Sequence, residues 1–200
     1  MPLEALSPKV LDLIAADAPL EQLGTGMVFT EGPVWNAHGQ FLVFSDIPAD
    51  RIKRWSPDDG VTDYRVPSGK SNGLTYDRQG RLLACEGAKR RVTRTEADGS
   101  VVAIASHYQG KKLNSPNDMV IKSDGSIYFT DPPYALNEVF GAPGEREQSC
   151  NGVYRLSPDG QNLTLLVDDF EGPNGLCFSP DESRLYIDDS ARLHLRVFEV

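Results

Sequence analysis

Histidine and cysteine are scarce in this chain, long apolar runs are missing, and each shortage removes a class of function. Only His38, His107 and His194 are present, and no two stand at a ligand-like spacing, which argues against a histidine-based zinc centre. Cys85, Cys150 and Cys177 show no zinc-type spacing and cannot all pair within one chain, so we read them as free thiols in a reducing, cytoplasmic setting, with Cys85 and Cys177 as small apolar strand residues. No segment approaches the roughly 20 apolar residues that cross a bilayer, and Met1–Val10 lacks the basic start of a secretion signal. Positive charge is also thin. The net charge is −9, and Lys111-Lys112 and Lys89-Arg90-Arg91 are too short to replace phosphate counterions, so nucleic acid is excluded as a partner. No Gly-x-Ser-x-Gly elbow or matched histidine accompanies Ser71 or Ser115, which excludes a serine hydrolase.

An internal repeat is what the chain does have. Glu31-Gly-Pro-Val-Trp35, Asn72-Gly-Leu-Thr-Tyr76, Asn117-Asp-Met-Val-Ile121 and Asn174-Gly-Leu-Cys-Phe178 each place an acid or amide ahead of a short apolar strand. A turn follows at Gly39, Gly80, Gly125 and Glu182, and a second acid at Asp46, Glu86, Asp131 and Asp188. The lead residues are 41, 45 and 57 positions apart, the period of a β-propeller blade. The expectation is an all-β propeller of four-stranded antiparallel blades, with 1–19 an extension carrying a short helix over Lys9–Ala16 and 20–200 forming one propeller domain. At this period the chain holds about four blades and the start of a fifth at Leu193–Val200, with the C-terminal blades missing, since an open ring would leave radial faces and strand edges bare. The third interval is stretched by a Pro-, Gly- and acid-rich loop from Asp131 to Gln148, either a cover for one channel mouth or a passive insertion.

Residues at equivalent places in successive blades converge on the axis. One carboxylate and two amide oxygens, from Glu31, Asn117 and Asn174, make a site for a hard divalent cation and leave much of its charge uncompensated, the condition for a Lewis acid. Taken singly, each Asn-Gly pair is a common turn; the matched register across blades is what points to the axis. Asn72 lines the channel, Asp46 and Glu86 read as turn caps at strand ends, and the role of Asp131 stays open on these grounds.

Glu31-Gly-Pro-Val-Trp35, the stretch Asn114-Ser-Pro-Asn-Asp-Met-Val-Ile-Lys-Ser-Asp-Gly-Ser-Ile-Tyr-Phe-Thr-Asp-Pro-Pro-Tyr134, and Gly172-Pro-Asn-Gly-Leu-Cys-Phe-Ser-Pro-Asp181 resemble the family of gluconolactonase, senescence marker protein (regucalcin) and luciferin-regenerating enzyme, most of all its bacterial gluconolactonase branch. The resemblance covers about residues 20 to 200 and implies six blades around one catalytic divalent cation, calcium ahead of magnesium, manganese or zinc. It implies Glu31, Asn117 and Asn174 as metal ligands, and Asn72, Ser115 and Asp131 on the substrate side. The family's fourth ligand and general base, an aspartate in a Pro-Asp-Gly motif, is expected beyond residue 200. Where animal members carry a substrate-binding arginine, this chain has Ser115. The implied activity is hydrolysis of a sugar-type lactone by a monomer, with the cation polarising the carbonyl and activating water. Alternatives are a promiscuous metal-dependent esterase or phosphotriesterase, and a non-catalytic propeller scaffold with a structural metal.

Overall fold

The computed structural model describes residues 7–200; the start of the N-terminal extension, with most of the segment read for a secretion signal, lies outside them. Ser7 caps a 3-10 helix over Pro8–Asp12, shorter than the helix expected over Lys9–Ala16. None of its residues is buried, so the apolar positions there have no surface to pack on and no force extends the helix. No helix among the described residues is long and apolar enough to cross a membrane.

From Thr30 onward the chain is β. The first blade is β1 (Thr30–Asn36), β2 (Phe41–Asp46), β3 (Arg51–Ser56) and β4 (Gly60–Arg65); the second is β5 (Ser71–Tyr76), β6 (Leu82–Glu86), β7 (Arg91–Thr95) and β8 (Val101–Ala105). After a small hairpin of β9 (His107–Tyr108) and β10 (Lys111–Lys112), the third blade is β11 (Met119–Ile121), β12 (Ile127–Asp131), β13 (Asn151–Leu156) and β14 (Leu163–Phe170). The fourth is β15 (Pro173–Phe178), β16 (Arg184–Asp189) and β17 (His194–Glu199). Within every blade spatial order equals chain order, and all pairs are antiparallel. The inner strands β1, β5, β11 and β15 touch in succession, so the sheets fan out in a four-blade, propeller-like arrangement. The segment 193–200 does not open a fifth blade: Leu185 faces Phe198 and Ile187 faces Arg196, making β17 the third strand of the fourth.

The hairpin turns follow the spacing seen in the repeat. Gly80 and Gly125 adopt positive φ, and in the fourth blade Glu182 takes the same left-handed conformation at φ 57°. In the first blade that duty shifts by one residue, from Gly39 to Gln40.

Side-chain alternation along the strands builds a separate core at each blade junction. Val43, Ile52, Leu74 and Ala84 fill the first junction; Leu83, Val92, Met119, Phe129 and Tyr154 the second; Tyr128, Val153, Phe170 and Ile187 the third. The alternation is visible within β12, where Phe129 packs toward the second blade and Tyr128 toward the fourth, so all five residues of that strand are buried. Cys85 is completely buried in the second core, and burial raises its thiol well above the ordinary range. Cys177, by contrast, is exposed rather than buried, because its face of the fourth blade has no neighbour among the described residues.

Close approach at the axis depends on glycine. The residue after each lead position is Gly32, Gly73 and Gly175 in three blades, and a Cβ on Gly73 would stand 2.3 Å from Asp118 Oδ1 and 2.6 Å from Asp118 Cα. There the amide of Gly73 donates to Asn117 O at 2.7 Å, stitching the second blade to the third. Gly73→Ala is therefore expected to destabilise the protein by about 1–3 kcal/mol through overpacking, read as a lower urea midpoint at unchanged m-value.

Candidate functional site

Glu31, Asn72, Asn117 and Asn174 meet at the inner ends of the four blades. They form a layer between two cavities, one of about 340 Å³ above and one of about 270 Å³ below, and border both. The upper cavity adds Phe29, Ile47, Tyr134 and Phe140 as an apolar wall, with Lys70 and Asn137 at its edge. The lower one adds two further acids, Asp118 and Asp188.

The oxygens of the layer are short of partners. Asn117 is 5% exposed, and its Oδ1 is buried without a hydrogen-bond partner among the described residues. Asn174 donates from Nδ2 to Ser190 Oγ at 3.0 Å, which turns its amide so that the oxygen is the end left over. Glu31 accepts one weak bond, from the adjacent Gly32 amide at 3.3 Å. A buried amide oxygen without a donor is costly unless something else meets it. One carboxylate and two spare amide oxygens at a single cavity fit a hard cation, which takes oxygen ligands of this type. Among the described residues no group of three His, Cys, Asp or Glu side chains forms a metal cluster, so the fit rests on this mixed set.

Asp118 was not singled out from the sequence, yet a signal was present: it is the one lead-plus-one position without glycine. Burial pushes its carboxyl up to about 6, the amides of Met119 and Leu176 pull the other way, and the charges of Glu31 and Asp188 add to the rise. Lys70, at the edge of the upper cavity, carries no sequence signal of its own.

Two residues expected on the substrate side are engaged elsewhere. Ser115 borders the upper cavity, but its hydroxyl donates to Pro132 O at 2.6 Å and accepts from the Ala135 amide at 3.0 Å. It fixes the root of the loop that follows. Asp131 does not reach the cavity: it is fully buried and accepts the Asn114 amide at 2.7 Å. Burial drives its carboxyl up to about 7 despite the Asn114 and Ser115 amides, which favour the charged form. Asp189 faces the same kind of donors; burial opposes ionisation there too, but the amides of Glu171, Arg192 and Gly172 win and hold it below the usual range.

The loop after Asp131 is a tied wall of the upper cavity. Asn137 closes it internally, its Oδ1 accepting from the Val139 and Phe140 amides and its Nδ2 donating to Tyr134 O. The second blade holds it from outside: Lys70 Nζ donates to Val139 O at 3.0 Å and to Glu138 O, and Arg90 Nη1 donates to Glu145 O at 3.1 Å. Phe140 meets Phe29 edge to face, with ring centroids 5.3 Å apart, so the loop closes against the first blade as well.

The family model for the SMP-30/gluconolactonase/LRE-like region matches residues 29–200. A gluconolactonase of Zymomonas mobilis is 36% identical over 200 residues, covering 93% of this chain and 56% of its own. The regucalcin of Oryctolagus cuniculus is 30% identical, covering 84% and 54%. Among solved structures, a gluconolactonase from Xanthomonas campestris superposes with a TM-score of 0.85 at 38% identity, covering 89% of this chain and 60% of its own. The chain thus spans about half the length of the curated relatives it matches.

Two outcomes follow from the geometry. Lys70→Met keeps the aliphatic stem and removes the ammonium, so cleavage after Glu138 by a Glu-specific protease rises roughly tenfold, the effect of losing a charged hydrogen bond; unchanged cleavage would show the tie to be idle. For Asp131 the folded carboxyl at about 7 stands above its reference value of 3.8, so stability is gained as pH falls through 7 and lost as it rises. In EDTA, the melting temperature of the unaltered protein gains on that of Asp131→Asn between about pH 8 and pH 5, and parallel pH profiles would refute the assignment.

Proposed function

From the premise that the chain belongs to the SMP-30/gluconolactonase/LRE-like family, we propose that it is the site-bearing part of a lactone hydrolase that works with one divalent cation at the propeller axis. The observation that carries this reading is the unpartnered, buried Oδ1 of Asn117 beside Glu31 and Asn174 at the floor of one cavity. We infer a six-bladed ring for the whole protein, with these residues on three of its blades.

Glu31, Asn117 and Asn174 would hold the cation, calcium first. When bound, it supplies Lewis-acid polarisation of the lactone carbonyl and stabilises negative charge on its oxygen. The remaining work falls to the protein. One carboxylate among neutral amides keeps the local charge low enough for a cation to stay electrophilic. Asn72, on the same layer, offers an amide to a ring hydroxyl. Phe29, Ile47 and Phe140 shed water from one side of the cavity, which strengthens every polar contact on the other. A cavity of about 340 Å³ suits a monocyclic lactone. We assign the general base to an aspartate beyond residue 200, as the family resemblance implies, and to no residue between 7 and 200.

The same reading takes the substrate as a small molecule and the compartment as reducing, in line with three free cysteines. A scaffold with a purely structural ion is less favoured, because it has no use for an open apolar cavity above the oxygen layer. An esterase or phosphotriesterase would draw on the same features, and the substrate decides between them.

The test is hydrolysis of glucono-δ-lactone, phenyl acetate and paraoxon in a pH-stat with calcium, manganese or EDTA. Cation-dependent turnover of the lactone is expected, with kcat/KM reduced by about 10²-fold or more in Glu31→Gln and Asn174→Ala. Turnover that survives EDTA, or that favours the ester or phosphotriester, would overturn the assignment.

A further inference from the structure

Each lead residue is followed along its blade by an acid, and the structure shows what that acid holds. In the first blade Asp46 Oδ1 accepts the Val28 and Phe29 amides at 3.2 and 3.1 Å, the residues three and two before Glu31. In the third, Asp131 Oδ2 accepts the Asn114 amide at 2.7 Å, three before Asn117, and its Oδ1 is buried without a partner among the described residues. In the fourth, Asp189 accepts the Glu171 and Gly172 amides at 3.0 and 2.9 Å, three and two before Asn174. The offset of three recurs in all three blades, and the offset of two in the first and fourth. All three acids are at most 2% exposed.

The second blade breaks the rule. Its acid, Glu86, is drawn into ion pairs with Arg65 and Arg91 and a bond from Thr93. The segment before Asn72 is held by Asp50 of the neighbouring blade, which accepts the Ser68 and Lys70 amides. The acid clamp thus occurs in the three blades whose lead residues carry the proposed cation ligands, and is missing from the one whose lead residue does not.

We propose that Asp46, Asp131 and Asp189 are positioning residues that fix the backbone entering the axis and so set the donor geometry of Glu31, Asn117 and Asn174. The inference rests on the cation reading above. A buried carboxylate that accepts the amide three residues before the lead, joined in the first and fourth blades by the next amide, leaves the following peptide few conformations, and the lead residue must project where the clamp directs it. Asp46→Asn and Asp189→Asn each turn an N–H toward an amide that the second oxygen had accepted, and Asp131→Ala removes the acceptor of the Asn114 amide, so each clamp opens. Groups that orient ligands from behind in this way typically cost 10–100-fold in metal affinity when removed.

The experiment uses the whole protein with Asp46→Asn, Asp131→Ala, Asp189→Asn and, as the control from the second blade, Glu86→Gln. Manganese binding is measured by calorimetry, and nitrogen-15 spectra of the metal-free forms report amide exchange at residues 171 and 172 and the side-chain NH2 signals of Asn117 and Asn174. We expect manganese affinity to fall about 10–100-fold in each aspartate variant, within about twofold of unaltered in Glu86→Gln, with Asp189→Asn exposing the Glu171 and Gly172 amides and shifting the Asn174 signal. Equal losses in Glu86→Gln, or aspartate variants that lower the melting temperature while manganese affinity stays put, would overturn the clamp. If the unaltered protein binds no manganese or calcium, the cation reading fails by itself. The metal-free spectra then decide the clamp: unmoved Asn117 and Asn174 signals in Asp131→Ala and Asp189→Asn would end it.

Discussion

Blades can meet at an axis only if their inner strands come closer than side chains normally allow, and the molecule is arranged around that demand. Gly32, Gly73 and Gly175 remove the Cβ where the contact is tightest; at Gly32 and Gly73 an added carbon would stand 2.2 and 2.3 Å from atoms of the next blade. With the backbones so near, main-chain carbonyls of one blade fall within reach of the next. Ser45 Oγ donates to Asn72 O at 2.7 Å and Thr130 Oγ1 to Asn174 O at 2.8 Å, while the Gly73 amide does the same for Asn117 O. The lead residues of the second, third and fourth blades are thereby held through their backbones, and their side-chain oxygens are left free of structural duty. That freedom is why an amide oxygen such as that of Asn117 is buried and yet unpartnered.

Much of this was legible in the sequence because it depends on short-range periodicity. The lead residues stand at the inner end of each blade as their register implied, and Glu31, Asn72, Asn117 and Asn174 do share a cavity. The acid of the fourth blade was misplaced by one: Asp189, opposite Pro173, is the equivalent of Asp46 opposite Thr30, whereas Asp188 faces the lower cavity. The cause is the variable geometry of the hairpins, with a bulge near each lead residue of β1, β5 and β15, so that a fixed residue count does not mark a fixed place.

What stayed illegible depends on contacts with no local signature. Lys70 and Arg90 hold the 132–150 loop by bonding to main-chain carbonyls, and any sequence offers those. Ser115 and Asp131 lie in the stretch that resembles the family most, and in the structure their polar atoms fasten the loop and the backbone that frame the cavity, while Ser115 also lines it. A specific motif marks a region under constraint, and only coordinates tell which of its atoms face a ligand.

The separation of the cores bears on how such a molecule changes over time. Each junction is filled by its own apolar set, away from the axis, and each blade sends a single lead side chain inward. The residues that line the central cavities and those that hold the junctions together are therefore different. A substitution at one lead position alters one corner of the binding layer and leaves the three cores as they were. Sequence drift at a lead side chain can thus reshape one corner of the cavities while the packing that joins the blades stays intact, whereas the glycines beside the lead residues admit no such drift.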